Sequence, residues 1–224
     1  LAPGIGRAEL LRIKFDTGYE RAGYVAWMLD AIAGLDLRNH PDLAAAQRLL
    51  AGWDMTADGR GNGADALAVM VLEPAMKASY GLKTPPDPKA ALAETVAHLK
   101  RYFGRIDPPL GDVLRIRQGP GPYSVDLPMD GGGDTLRAAT DWDVERDGRL
   151  SVKHGDSFVM LMEWDQAGRV HSESIQPYGA ATTRPDSPHY TDQAALFAAK
   201  RFKPVYFDRA SIRAHARSRT VVTN

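Results

Sequence analysis

The apolar positions change their period near residue 106. Before it they recur every three or four residues. Tyr19 to Ala33 places Val25, Met28, Leu29 and Ile32 at that spacing, which predicts an amphipathic helix, with Gly34 as its stop. Pro41 opens a second predicted helix that carries Leu43, Gln47, Leu50 and Trp53. Ala64 to Tyr80 is nearly all apolar through Leu72, the pattern of a helix buried on most sides. Pro74 is expected to kink that helix or end its regular part. Thr84-Pro85-Pro86-Asp87-Pro88 reads as a stiff linker, with Pro88 placed to start a helix striped by Leu92, Val96, Leu99 and Phe103. Asp58-Gly59-Arg60-Gly61-Asn62-Gly63 reads as a flexible break between helices.

After Ile106-Asp107-Pro108-Pro109 short extended runs alternate with turns as far as Pro177. Val113 to Arg117 alternates apolar and charged in part. Ser157 to Trp164 is the strongest predicted strand, with Phe158, Met160, Met162 and Trp164 on one side and Val159 and Leu161 on the other. A strand apolar on both faces is covered on both faces. Asp165-Gln166-Ala167-Gly168 predicts a short hairpin loop, and Arg169 to Ile175 an antiparallel return. Asp192 to Phe202 reads as a helix with Leu196 and Phe197 inward, Ser211 to Arg217 as a shorter one, and Thr220-Val221-Val222 as a closing strand. The expected class is α+β: a helical segment over 1–106, then a β-rich segment over 107–224 with closing helices. The second face of the Ser157–Trp164 strand needs either the helical half or material from outside this chain. Alone, the piece is expected to expose a large patch and to aggregate.

Composition narrows the function classes. The 224 residues are 44% hydrophobic and 25% charged, ordinary globular material for one large domain or two small ones. Lys and Arg number 28, as do Asp and Glu, so the net charge is zero and a polyanion partner such as nucleic acid is disfavoured. Arg209 to Arg219 leans basic and reads as a solvated helix face. No apolar run approaches the roughly 18 residues of a membrane span. The absence of Cys excludes disulfides, thiolate metal sites and a Cys nucleophile. Residue 1 is Leu, with no signal peptide before Pro3, which suggests a cleavage product or a portion of something longer.

No standard catalytic spacing stands out. There is no His-Glu-x-x-His and no Walker loop. Gly155-Asp156-Ser157-Phe158-Val159 begins like a nucleophile elbow but ends in Val, and Ser157 opens a strand. Gly59 to Gly63 lacks the preceding strand of a dinucleotide loop and reads as a turn. Asp54, Asp58, Asn62 and Asp65 surround three Gly but lack the order and closing Glu of a calcium loop. Asp130-Gly131-Gly132-Gly133-Asp134 reads as a loop needing positive φ.

Of the six His, His40 and His98 read as surface or boundary residues. His154 and His171 are expected to face each other across the hairpin, with Glu163 between them in sequence. A cross-strand polar pair, a general base and a zinc hydrolase built on His154, His171 and Glu163 all remain open there. Pro185-Asp186-Ser187-Pro188-His189-Tyr190-Thr191-Asp192-Gln193 is a rigid entry to a helix. His189 is expected to be a buried donor tying that loop to the sheet.

The run His154 to Trp164, followed by Ser187-Pro188-His189-Tyr190-Thr191-Asp192-Gln193, resembles the C-terminal end of penicillin-acylase-family proteins. Leu49 to Asp54, Leu110 to Arg117 and Asp130 to Arg137 are similar to further family stretches, in the right order. The flavour is nearer the branch acting on acyl-homoserine lactones and lipopeptides than strict penicillin G acylases. The resemblance implies an N-terminal-nucleophile hydrolase with a four-layer αββα core, to which the antiparallel sheet would belong. Such a protein is made as a precursor, exported to the periplasm or secreted, and cut by itself into α and β chains. The N-terminal Ser of the β chain attacks an amide carbonyl, its own α-amine acts as base, and an Asn side chain and a backbone N–H form the oxyanion hole.

The matching stretches all lie late in the β chain, and Leu1 cannot be a nucleophile. The resemblance therefore places no catalytic, cofactor-binding or metal-binding residue in this chain, and implies no cofactor. It implies the C-terminal portion of an amide hydrolase, inactive alone, whose partners are the α chain, the N-terminal part of the β chain and a small acylated amide substrate. The alternative is a non-catalytic binding or structural module of acylase-like fold. The residues carried over are scaffold: His154–Trp164 as one central-sheet strand, and His189–Gln193 as a brace.

Overall fold

The computed structural model describes residues 4–59 and 63–222, so Arg60, Gly61 and Asn62 of the predicted break lie outside the described residues. Five helices build the first half: α1 (Arg7–Lys14), α2 (Gly23–Ala33), α3 (Pro41–Ala51), α4 (Asp65–Ser79) and α5 (Pro88–Phe103). Helix α2 buries the four stripe residues Val25, Met28, Leu29 and Ile32. It starts at Gly23 rather than Tyr19, because the Tyr19 N–H donates to the Met55 carbonyl (2.8 Å) and holds that stretch extended. Gln47 on α3 donates through Nε2 to the carbonyls of Ile32, Ala33 and Leu35 (2.8, 3.2 and 3.1 Å). One side chain thereby satisfies backbone acceptors that the end of α2 leaves open.

Pro74 does not end α4, which runs on to Ser79. Leu67, Val69, Val71 and Leu72 before it and Ala75 and Met76 after it are all buried, so packing outweighs the one missing backbone bond. Helix α5 follows the sequence reading closely. The Asp87 carboxylate accepts from the Ala90 N–H (2.7 Å), Pro88 opens the first turn, and Leu92, Val96 and Leu99 are buried. Helix α1 was not foreseen. It buries no residue, so it lacks the stripe that marks the others.

The second half holds two sheets rather than one. A single turn, α6 (Leu110–Val113), leads into β1 (Leu114–Gln118), β2 (Val125–Pro128), β3 (Ala139–Val144) and β4 (Leu150–Gly155), in the order β2-β1-β4-β3. Strands β1 and β4 run parallel, with Leu114 opposite Leu150; the other pairs are antiparallel. The second sheet, β5 (Val159–Trp164), β6 (Val170–Ile175) and β7 (Lys203–Val205), is wholly antiparallel in the order β5-β6-β7. The predicted hairpin is present, from Val159 opposite Ile175 to Trp164 opposite Val170.

His154 to Trp164 is therefore not one strand. The chain leaves the first sheet at Gly155 and enters the second at Val159. Gly155 makes that crossing at φ 139°, where a Cβ would lie 2.3 Å from the Ala138 carbonyl oxygen. Helices α7 (Ala194–Ala198) and α8 (Arg209–His215) are shorter than or shifted from their predictions. Thr220 to Val222 is exposed coil rather than the predicted closing strand.

One apolar cluster joins the halves. Met28, Leu67, Leu72, Leu92 and Leu99 from the helices pack with Leu114, Ile116, Ala139, Leu150, Val159, Ile175 and Phe197. The fold is α+β, helices first and sheets second. The expected double cover of β5 is absent among the described residues. Val159 is buried, but Phe158, Met160, Met162 and Trp164 are 55, 39, 39 and 64% exposed. Strand β5 is also an edge strand, paired only to β6.

Candidate functional site

The seam where the chain crosses between sheets holds a groove of about 680 Å³. Ile116, Met129, Val152 and Phe197 supply its apolar floor, and His154, Asp156, Ser157, Tyr178 and Thr182 its polar wall. Two of the five stretches that carry the resemblance, Leu110–Arg117 and His154–Trp164, contribute to it.

His154 sits at the end of β4, and its Nδ1 lies 3.0 Å from Asp141 Oδ2. Asp141 is held at φ 48°, uncommon for a residue with a Cβ. Buried Glu73 keeps it there. Glu73 accepts from the Asp141 N–H (2.9 Å) and from the Thr140 hydroxyl (3.0 Å), while Lys77 bridges to Asp141 (2.6 Å) and Glu73 (3.3 Å). The Lys77 hydrogen bond, and His154 after it, hold the Asp141 carboxyl below its ordinary range. The Asp141 carboxylate can only accept, so the proton between it and His154 sits on Nδ1. No sequence signal marked Asp141 or Glu73, because the contact joins α4 to the β3–β4 hairpin across 68 residues.

His154 does not meet His171. His171 lies on β6 opposite Glu163, in the other sheet, so the three residues of the zinc reading are not brought together. Among the described residues, no group of three or more His, Asp or Glu is arranged to hold a metal. Glu163 and Glu173 instead share the Arg7 guanidinium of α1, with Glu163 at 3.1 Å.

Behind the groove floor Arg137 is fully buried. Its Nε donates to Asp130 (3.1 Å), its Nη2 to the Phe197 carbonyl (3.2 Å), and its guanidinium carbon lies 4.2 Å from the Phe197 ring centroid. Asp156 stands 3.7 Å from Nη1 and accepts from Lys14 at 2.7 Å. Asp130 also pairs with Lys200. The Asp130–Asp134 loop is thus tied to Arg137, to Lys200 just past α7, and through the Gly131 N–H to the Ala57 carbonyl (2.7 Å). Its glycines are packing glycines. Gly131 takes φ 94°, and a Cβ on Gly132 or Gly133 would lie 1.7 Å from the Tyr19 hydroxyl or 2.3 Å from the Met76 sulfur.

The Pro185–Gln193 loop braces the fold, but not through His189. That side chain is 59% exposed, and its Nδ1 pairs with Asp192 (2.8 Å). The ties are its neighbours: Tyr190 donates to the Gly119 carbonyl (3.1 Å) and Thr191 to the Tyr123 carbonyl (2.5 Å). Both anchor the loop to the β1–β2 turn.

Ser157 lies within the crossover and opens no helix, so it is not a nucleophile elbow. Asp65 begins α4, accepts the Gly59 N–H (2.9 Å) through Oδ2, and among the described residues leaves Oδ1 buried without a hydrogen bond. Burial, then Asp54 and Asp58, push its carboxyl up. Among the described residues no helix is long and apolar enough to cross a membrane.

What the geometry presents is a braced scaffold with an open sheet edge, a bare apolar strand face and a groove. The pattern of stretches suggested a family in which such a scaffold is expected. The family model described as penicillin amidase matches residues 2–214, nearly the whole chain and all five stretches. The chain belongs to the penicillin amidase family.

Proposed function

We propose that this chain is the C-terminal portion of the β chain of an acylase-type amide hydrolase. In that reading the nucleophile is an N-terminal Ser supplied by the rest of the protein. Its hydroxyl attacks the amide carbonyl, the amine leaves, and water then releases the acid from the acyl-enzyme. This chain's residues contribute the framework. Strands β5 and β6 hold one sheet in register, while Arg137, Tyr190 and Thr191 hold the crossing segments against the first sheet.

The observation that carries the reading, beside family membership, is the β5 surface. Phe158, Met160, Met162 and Trp164 lie bare on an edge strand, where a soluble protein ordinarily places charge or a covering element. The αββα core of the resemblance supplies that cover from its other layers. The same reading places the protein in the periplasm or outside the cell, and its substrates among acyl-homoserine lactones and lipopeptides.

Intact mass and N-terminal sequence of the purified protein test it. Several chains, one beginning with Ser, together with release of an acid from an acylated amide, are expected. A single folded species at 24.4 kDa would overturn it in favour of a non-catalytic module. Amide hydrolysis by the isolated segment would overturn the placement of the nucleophile.

A further inference from the structure

Charge is spread unevenly along this chain. From Gln193 onward there are seven Lys and Arg and one carboxylate, Asp208, a net of +6 in a chain whose total is zero. The first 192 residues therefore carry −6. Lys200 is neutralised by Asp130. Asp208 caps α8 instead of pairing with an arginine, accepting the Ser211 N–H at 2.8 Å. Among the described residues Arg209, Arg213, Arg217 and Arg219 pair with no carboxylate. In the first sheet, by contrast, Arg115 and Arg117 are held by Asp126, Arg149 by Asp147 and Lys153 by Asp143.

The orientation of α8 turns these arginines outward. Of residues 206–222, all but Ser211 are exposed. Ser211 is half-buried against a groove that Tyr206 and Asp208 also line, and the His215 ring stacks on Tyr206 with centroids 4.1 Å apart. These contacts fix the inner side of the helix. Helix positions step by about 100°, so Arg209 and Arg213 point away from Ser211, with Ile212 beside them. Phe207 is exposed just before the helix, and Val221 and Val222 are exposed after it. The result is a ridge of guanidinium groups interleaved with single apolar side chains.

A partner for this ridge must bring negative charge and take up the apolar tips together. A nucleic acid answers the arginines but leaves Phe207 and Ile212 in water. A folded partner grips through anchors seated in pockets, and a ridge exposed along its length offers none. The surface of an anionic bilayer meets both needs. Lipid phosphates pair with the guanidinium groups, and the acyl boundary receives the apolar side chains. Arg209 and Arg213, one turn apart, also repel each other until anions lie between them.

We propose that α8 and the coil after it form a docking surface for an anionic lipid bilayer, with the four arginines at the phosphates and Phe207 and Ile212 at the acyl boundary. Nothing in it depends on the hydrolase reading.

Co-sedimentation of the full protein with phosphatidylcholine vesicles containing about one-third phosphatidylglycerol, at about 0.1 M salt, tests it. Saturable binding is expected there, none to phosphatidylcholine alone, and release at about 0.5 M salt. Arg209→Gln and Arg213→Gln are each expected to weaken binding about fivefold. Ile212→Ser is expected to weaken it about threefold and to leave its salt dependence unchanged. Melting temperatures of all three variants should match the parent, since each side chain is exposed. No binding to the anionic vesicles, equal binding to phosphatidylcholine alone, or unchanged binding by a variant carrying both Arg→Gln changes would each overturn the proposal. Capture of poly-glutamate or of a DNA duplex without capture of vesicles would overturn it in favour of a protein or nucleic-acid partner.

Discussion

Gly132 shows how much one absent side chain decides. Its Cα lies against the Tyr19 hydroxyl, and a methyl group would fall 1.7 Å from that oxygen. Gly132→Ala is expected to destabilise the protein by about 3 kcal/mol, the upper range for overpacking a buried site, read as a lower midpoint in urea unfolding. A midpoint within error of the parent protein would show that the loop simply moves aside. Asp65 makes a pH prediction. Burial raises its folded-state pKa above the unfolded value. Its contribution to stability is therefore fully present below the unfolded pKa and is lost as pH rises through the folded one. Asp65→Asn keeps an oxygen to accept the Gly59 N–H and removes the charge. The variant should match the parent in acid and melt at a higher temperature at neutral pH. A difference in Tm independent of pH would refute it. The sequence marked Gly132 as part of a glycine-rich loop and Asp65 as a polar residue where such a loop enters a helix. Nothing local says that Tyr19 or Met76 will lie above one loop, or that Asp65 will be closed off from water.

At the scale of elements, periodicity worked where one face met one core. The stripes of α2 and α5 were legible because their apolar positions repeat and the other positions stay in water. Within His154–Trp164 the apolar run begins only after Gly155-Asp156-Ser157, so the start of β5 was legible, but that the two ends belong to different sheets was not. Gly155 takes φ 139° at the crossing, where a Cβ would meet the carbonyl of Ala138, the residue just before β3. The same holds for the Pro185–Gln193 loop. Its rigidity could be read from two Pro and several capping side chains, but which side chain ties it down could not. Tyr190→Phe is expected to cost about 1 kcal/mol through the lost bond to the Gly119 carbonyl, and His189→Ala less than about 0.5 kcal/mol as a surface change. Thermal melts of the two variants check this, and the reverse order would restore His189 as the anchor.

For the whole molecule, the unsatisfied feature is the β5 face. Met162→Lys places a charge in the middle of that row, where the side chain is 39% exposed. It is expected to leave the melting temperature of this chain nearly unchanged and to abolish assembly with the rest of an acylase, read by size-exclusion chromatography of co-expressed chains. Assembly that survives the charge would mean that the face is free in the working protein. Local period and turn chemistry were enough to establish the α+β class, the order of helices before strands and the Val159–Ile175 hairpin, and the resemblance of five ordered stretches pointed to the family, because each depends on neighbours close in sequence or on short ordered motifs. The split into two sheets, the parallel β1–β4 pair, the Glu73–Lys77–Asp141–His154 chain and the groove beside it were decided by tertiary structure alone. Each is made of contacts between residues far apart along the chain, and those pairings are fixed by how the helical layer and the two sheets pack, which no local pattern encodes.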